Sequence, residues 1–191
     1  MEQETFYPEN KSQWRAWLKE NHALKKSIWV IFYKKKTGRP TINWSEAVDE
    51  ALCFGWIDSI GKPIDDEKFM QYFCQRKPNS TWSKINKDKV NVLLEANLIT
   101  DAGKYCIDIA KQNGSWTILD EVEALIIPKD LELAFAEQPE AAIFFSNLSR
   151  TVKKGILQWL VLAKRPATRA SRIKDVIQFC LEKNIPKQFR P

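Results

Sequence analysis

The stretch EALCFGWIDS, residues 50–59, joins a helix to a strand and decides how the chain is built. Upstream of it, Asn43 or Ser45 can cap the start of an apolar-periodic helix. Gly55 follows the last helical turn, where a glycine commonly ends a helix. The apolar run after this glycine predicts a short strand over 56–60. The chain is therefore expected to change from helix to strand at one residue.

A turn and a second apolar run follow this strand and predict an antiparallel hairpin. The turn GKPIDD covers 61–66, and the return strand is expected over 68–75. An earlier run, SIWVIFYKK at 27–35, carries apolar side chains at both odd and even positions. That pattern is typical of a central strand that is covered on both faces. We therefore expect a small antiparallel sheet of about three strands, accompanied by helices, in the N-terminal half.

From residue 83 onward the apolar spacing is helical and predicts an all-helical C-terminal half. Helices are expected at 83–96, 101–112, 129–137, 139–146, 149–164 and 167–183. The predicted fold class is α+β, with an α+β region at 1–119 and a helical region at 120–191. The two regions are expected to pack as one compact unit. A flexible connection is expected in the acidic stretch 120–140.

Composition excludes several classes of protein. Hydrophobic residues make up 44% and charged residues 28%, which excludes wholesale disorder. No run approaches the roughly 20 apolar residues of a membrane helix, so no membrane insertion is predicted. The acidic N-terminus lacks the apolar core of a signal peptide. The four dispersed cysteines are typical of reduced thiols, and a cytoplasmic location is predicted. Nothing in the sequence indicates an oligomeric state.

The segment 46–86 concentrates polar and aromatic side chains at the ends of predicted elements, where ligand pockets form. The helix-strand junction places Asp58 near its start, and the hairpin returns Arg76 towards the same region. The predicted ligand-binding residues are Glu46, Glu50, Asp58, Ser59, Arg76, Ser80, Trp82 and Asn86. The predicted partner is a small-molecule or anionic ligand. The alternative is that Asp58 and Arg76 form a cross-strand ion pair and that the tryptophans belong to the core.

The sequence does not assign a catalytic residue, and whether the chain is an enzyme stays open. Cys53 lies near a helix C-terminus, whose dipole disfavours a thiolate. Glu46 and Glu50 lie four residues apart on one helical face, where like charges need a cation between them. A metal site is not expected, because one His and four separated Cys lack the spacing of zinc ligands. No phosphate-binding loop is present, so no cofactor is predicted.

The basic residues concentrate at the C-terminal end. Residues 150–191 carry 11 Lys and Arg against two acids, whereas residues 1–149 carry 19 against 22. Arg165, Arg169 and Arg172 lie at the start of the last predicted helix, where free N–H groups attract anions, and form a predicted anion-binding site. The alternative is that they pair with the acidic stretch 120–140. Nucleic-acid or anionic-partner binding here is the alternative function, although the segment lacks interleaved aromatic residues for base stacking.

Several motifs resemble the YdeI/OmpD-associated family, whose members are also called bacteriocin-protection proteins. They are EALCFGWIDS at 50–59, RKPNS at 76–80, WSKIN at 82–86 and AKRPATR at 163–169. The likeness extends from WRAWL at 14–18 to Arg172 and Ile173. Two departures are Cys74-Gln75, where Thr-Pro or similar is expected, and Ala167, where the family usually has Glu. The resemblance implies a cytosolic bacterial protein with a stress or antimicrobial-resistance role, and implies no particular chemistry.

Overall fold

The computed structural model describes residues 4–190. The chain divides into two units, Met1–Trp116 and Thr117–Pro191. The described part of the first unit combines a sheet with helices, and that of the second is helical, so the predicted α+β class is confirmed. The predicted boundary between 119 and 120 falls three residues from this division. The packing of the two regions as one compact unit stays a prediction.

The first unit contains a four-stranded mixed sheet. Its elements are β1 (Thr5–Phe6), α1 (Lys11–Asn21), β2 (Ser27–Tyr33), a 3-10 turn (Lys35–Thr37), α2 (Trp44–Cys53), β3 (Trp56–Pro63), β4 (Lys68–Gln75), α3 (Lys84–Glu95) and α4 (Asp101–Gln112). The strand order is β1-β2-β4-β3. The predicted β3–β4 hairpin is confirmed as antiparallel. The expected antiparallel three-stranded sheet needs correction, because β1 adds a fourth strand parallel to β2. Two residues are too short to give an alternating pattern.

The helix-strand junction has the predicted form. Asn43 caps α2, and the side chain of Glu46 reaches back to the main-chain N–H of Asn43. Gly55 has a φ of +72°, a left-handed conformation that favours glycine. A Cβ at this position would also lie 2.6 Å from Cys106 Sγ. Gly55 therefore both ends α2 and allows α4 to approach it closely.

The core of the first unit lies between one face of the sheet and the helices. Alternate residues of β2, including Val30 and Phe32, are buried against Trp14 of α1 and Phe73 of β4. Trp14 and Phe73 contact edge to face, with ring centroids 5.4 Å apart. Trp56, the first residue of β3, is 1% exposed and belongs to the same core. Trp56 and Phe73 therefore anchor the start of β3 and the end of β4, close in the chain to Asp58 and Arg76.

The second unit is built from short helices around its own apolar core. Its elements are α5 (Asp120–Glu123), α6 (Lys129–Glu137), α7 (Pro139–Ser146), α8 (Arg150–Val161), α9 (Pro166–Leu181) and a 3-10 turn (Lys187–Phe189). Leu131, Ile156 and Val176 are among the fully buried residues. The expected flexible connection in 120–140 is wrong for most of that stretch, which contains α5 and α6.

Of the helices within 4–190, none has both the length and the apolarity to cross a membrane.

Candidate functional site

The two glutamates of α2 have different surroundings. Glu46 is exposed, and its Oε2 accepts a hydrogen bond of 3.2 Å from the main-chain N–H of Asn43. Glu50 is 0% exposed, with Oε2 2.6 Å from Arg15 Nη1 and Oε1 3.2 Å from Lys11 Nζ. Like charges at this spacing need a nearby cation. Lys11 and Arg15 of α1 supply this positive charge, and both contact Glu50. Both glutamates were predicted to bind a ligand; here one caps a helix and the other holds α1 on α2.

Arg15, on α1, is bonded both to α2 and to the segment between α3 and α4. Its Nη2 donates to the main-chain oxygen of Leu98 at 2.9 Å, in addition to its contact with Glu50. Burial acts to lower the pKa of Arg15, but the hydrogen bond and charge of Glu50 raise it above its usual value. Burial also raises the pKa of the nearby Cys53 thiol. A protonated buried thiol is a poor nucleophile, which agrees with the sequence argument against Cys53.

Asp58 is half-buried at the start of β3. Its Oδ2 accepts hydrogen bonds of 3.1 Å from Trp44 Nε1 and 3.1 Å from Gln71 Nε2. Burial raises the pKa of Asp58, although these two donors act in the opposite direction. Ser59 is exposed, and its main-chain oxygen accepts from Gln71 at 2.9 Å. Within residues 4–190, Asp58 and Arg76 form no ion pair within 4.0 Å, so the predicted alternative of a cross-strand pair is not observed.

Arg76 has the most unusual environment of the predicted residues. It is 8% exposed, and its Cζ lies 3.6 Å from the centroid of the Trp82 ring. Its Nη2 donates to the main-chain oxygen of Thr81 at 2.5 Å, and its main-chain N–H donates to Gly55 at 2.9 Å. Its Nε and Nη1 are buried and have no hydrogen-bond partner. Burial lowers the pKa of Arg76 to about 10, and the charges of Cys106, Asp58 and Cys74 offset this only in part.

A short exposed turn connects Arg76 to Trp82. Ser80 lies in this turn, and its main-chain N–H donates to the oxygen of Lys77 at 2.9 Å. Asn113 of the segment after α4 holds the turn by donating to the oxygen of Pro78 at 2.9 Å. Asn86 lies in the first turn of α3, where its main-chain N–H is capped by Ser83 Oγ at 3.3 Å. The turn therefore lies beside Arg76 and is tied to the rest of the first unit.

The structure thus divides the predicted ligand-binding residues into groups. Arg76 and Trp82 are in contact, and Asp58 is close enough to influence the pKa of Arg76. Glu46 and Glu50 are engaged with Asn43 and with α1 instead. The sequence reasoning missed Gln71 and Trp44. Gln71 is the polar residue between Phe69 and Phe73 at the inward positions of β4, and that position could have indicated it.

The predicted C-terminal anion site is partly occupied by internal contacts. Arg169 forms a two-bond pair with Asp130, with Nε–Oδ2 at 2.5 Å and Nη2–Oδ1 at 2.9 Å. The hydrogen bond from Arg169 lowers the pKa of Asp130. The Cζ of Arg172 lies 4.8 Å from the ring centroid of Trp159, and Arg172 donates to the Trp159 carbonyl. Pairing with the acidic stretch, which the sequence left open, is therefore observed for Arg169, and anion or nucleic-acid binding by Arg165 and Arg172 stays a prediction.

Metal ligation has no support among residues 4–190. No group of three or more His, Cys, Asp or Glu side chains there is arranged to hold a metal ion. The four cysteines are all unpaired thiols.

Two family models match the chain. One, described as Domain of unknown function (DUF8412), matches residues 6–106, which is more than half of the chain. The other, described as Bacteriocin-protection, YdeI or OmpD-Associated, matches residues 124–183. Searches of curated proteins and of solved structures gave no match. The predicted resemblance to the YdeI/OmpD-associated family is confirmed for 124–183, which includes AKRPATR at 163–169. The other quoted motifs lie within the first match.

Proposed function

We propose that this chain, which belongs to the family described as Domain of unknown function (DUF8412), binds a small anionic ligand at Arg76. The ligand would carry a carboxylate or phosphate group. The observation that supports this proposal is the buried guanidinium of Arg76, whose Nε and Nη1 have no partner. Leaving a buried charge unpaired costs several kcal/mol, on the order of 3–5. An anion that filled these two donors would remove that cost.

The guanidinium is held in place before any ligand binds. The ring of Trp82 lies against its face, and Nη2 is fixed by the Thr81 carbonyl. Such stacking on a buried tryptophan is a favourable cation–π contact. A planar guanidinium held in this way presents its remaining N–H groups in a fixed geometry, which suits the oxygens of carboxylate and phosphate. Arg76 is therefore preorganised as an anion clamp.

The charges around Arg76 favour an anion over a neutral ligand. No carboxylate among residues 4–190 lies within 4.0 Å of it, and Asp58 is held by Trp44 and Gln71 instead. Lys77, the next residue, is exposed and adds a second positive charge at the turn. Hydrogen bonds to an ionised acceptor are roughly twice as strong as those between neutral groups. The exposed turn 77–79, which directly follows Arg76 in the chain, is the proposed route of entry.

The variant Arg76→Met tests this proposal by separating stability from binding. We expect its melting temperature without added anion to be unchanged or higher, because an apolar side chain replaces an unpaired buried charge. In the wild type, an anion at 100 times its dissociation constant should stabilise the fold by about 2.7 kcal/mol. Arg76→Met should lose that gain. The measurement is thermal unfolding with phosphate, acetate, succinate and citrate, each at constant ionic strength.

Arg39→Met is the matched control for this variant. Arg39 is exposed, and its guanidinium lies 4.8 Å from the Tyr33 ring centroid, so it combines a cation with an aromatic ring at the surface. It should keep the wild-type response to anions. If Arg76→Met instead lowers the melting temperature by several degrees, and no anion stabilises the wild type, then Arg76 is structural and the proposal is wrong.

The second match adds a cellular role to this proposal. Its description names bacteriocin protection, and we extend a stress or antimicrobial-resistance role to this chain on that basis. Deletion of the gene should then lower survival after bacteriocin challenge, and the wild-type gene should restore it. Complementation with Arg76→Met would connect the role to the anion site. A survival curve that deletion leaves unchanged would contradict the cellular role.

A further inference from the structure

The second unit holds a cavity of about 200 Å³ that is mainly apolar. Its walls include Leu125, Phe135, Phe145 and Leu157, with Ser146 and Lys153 as polar members. Phe135 and Phe145 are buried and contact each other, with ring centroids 5.1 Å apart. An apolar cavity of about 150 Å³ is large enough to bind a benzene ring in other proteins. The space here therefore suits one small ring or a branched alkyl group.

One wall of the cavity is formed by a residue in an unfavourable backbone conformation. Leu125 has a φ of +58°, in the left-handed region that favours glycine. Its N–H donates to Val122 at 3.1 Å and that of Ile126 donates to Glu121 at 2.9 Å, so it ends α5 where a glycine is commonly found. A leucine there costs about 1 kcal/mol, and a glycine would leave the wall open. Leu125 thus contributes its side chain to the cavity wall from a strained backbone position.

Lys153 is one of the residues that line this apolar space. It is half-buried on α8, and its Nζ donates to the main-chain oxygen of Ser146 at 2.6 Å. In the described part of the chain, no carboxylate lies within 4.0 Å of Lys153, whereas the adjacent Lys154 pairs with Glu123 at 2.6 Å. A lysine ammonium has three donors, so Lys153 can accept a further partner. A carboxylate is the group that complements both its charge and its donors.

We propose that this cavity binds a small apolar carboxylic acid of about the size of benzoate. The ring lies among Leu125, Phe135 and Leu157, and the carboxylate pairs with Lys153. The size follows from the cavity volume. The charge follows from the Lys153 ammonium, which donates to a carbonyl and has no carboxylate partner in the described part of the chain. The site lies within the second unit and uses none of the residues of the Arg76 site. If no such acid binds in this cavity, the Arg76 proposal is unaffected.

Titration of the whole chain with sodium benzoate, followed by ¹³C-methyl NMR, tests the proposal. We expect saturable shifts at the methyl groups of Leu125, Ile127 and Leu157. Benzyl alcohol, which has the ring without the charge, should bind at least about tenfold more weakly, as the loss of a charge-assisted hydrogen bond predicts. The absence of saturable shifts, or equal affinity for the two compounds, would overturn the proposal.

Two pairs of variants separate the charge from the cavity. Lys153→Met should weaken benzoate binding about tenfold or more and leave benzyl alcohol unchanged, whereas Lys164→Met, at an exposed lysine, should change neither. Ala142→Leu fills the cavity and should abolish binding of both compounds. Ala136→Leu, at an exposed position of α6, should leave both intact. Unchanged benzoate affinity in Lys153→Met or in Ala142→Leu would contradict the assignment.

Discussion

Replacing Glu50 with glutamine should destabilise the first unit by about 3 kcal/mol, because it breaks a buried ion pair and leaves a partner uncompensated. Glu50 is fully buried between α2 and α1, and it contacts both Arg15 and Lys11. This loss of stability is at the lower end of the range for broken buried ion pairs, because both cations are partly exposed. Chemical denaturation followed by tryptophan fluorescence measures this loss, because seven of the eight tryptophans precede residue 117.

Glu46→Gln is the matched control on the same helix. Glu46 is exposed and completes the cap of α2, so its amide variant should cost at most about 1 kcal/mol. The double variant Glu50→Leu with Arg15→Met removes the buried carboxylate and the nearer of its two cations and should recover most of the loss, as apolar replacements of buried pairs often do. If Glu46→Gln and Glu50→Gln lowered the free energy of unfolding by the same amount, the buried ion pair would contribute no more to stability than the exposed cap.

Gly103→Ala should destabilise the first unit by about 2–3 kcal/mol through overpacking against backbone. A Cβ at Gly103 would lie 2.4 Å from the main-chain oxygen of Cys53, at the end of α2. That oxygen also accepts from the N–H and the hydroxyl of Thr100, at 3.0 and 2.7 Å, so it has little freedom to move. The higher helix propensity of alanine, worth about 1 kcal/mol, offsets only part of the cost.

Gly155→Ala should have the opposite effect on stability. Gly155 lies within α8, and a Cβ there would meet Phe189 at 3.6 Å, an ordinary contact. Alanine should therefore stabilise the second unit by up to about 1 kcal/mol. Hydrogen exchange at the amides of each unit reports the two variants separately. A neutral or stabilising Gly103→Ala would mean that α4 can shift away from α2, which would contradict the close packing described for this junction.

Local signals in the sequence predicted the helix-strand junction and the hairpin. The cap at Asn43, the glycine at 55 and the apolar alternation of the two strands each depend on neighbours within a few residues. The parallel pairing of β1 with β2 could not be predicted in this way, because it joins residues more than twenty positions apart through a two-residue strand. Local pattern therefore indicated α2, β3 and β4, whereas long-range pairing added β1 and set the order of the strands.

The candidate site was predicted only in part for the same reason. Arg76 and Trp82 lie six residues apart, and their contact follows from one short turn. The partners of Glu50 come from α1, 35 positions away in the case of Arg15, so no spacing within 46–86 could indicate them. The cavity of the second unit depends on side chains from four elements or connecting segments, so no single motif indicates it.

The central claim is that Arg76 is an anion clamp, and the side-chain Nε–Hε signal of Arg76 in ¹H–¹⁵N NMR tests it most directly. This N–H is buried and unpaired without ligand. The titrant is phosphate, or whichever of acetate, succinate and citrate raises the melting temperature most. The Arg76 signal should move downfield and saturate, while the signal of the exposed Arg39 stays in place. An Arg76 signal that does not move at anion concentrations that stabilise the protein would contradict the claim.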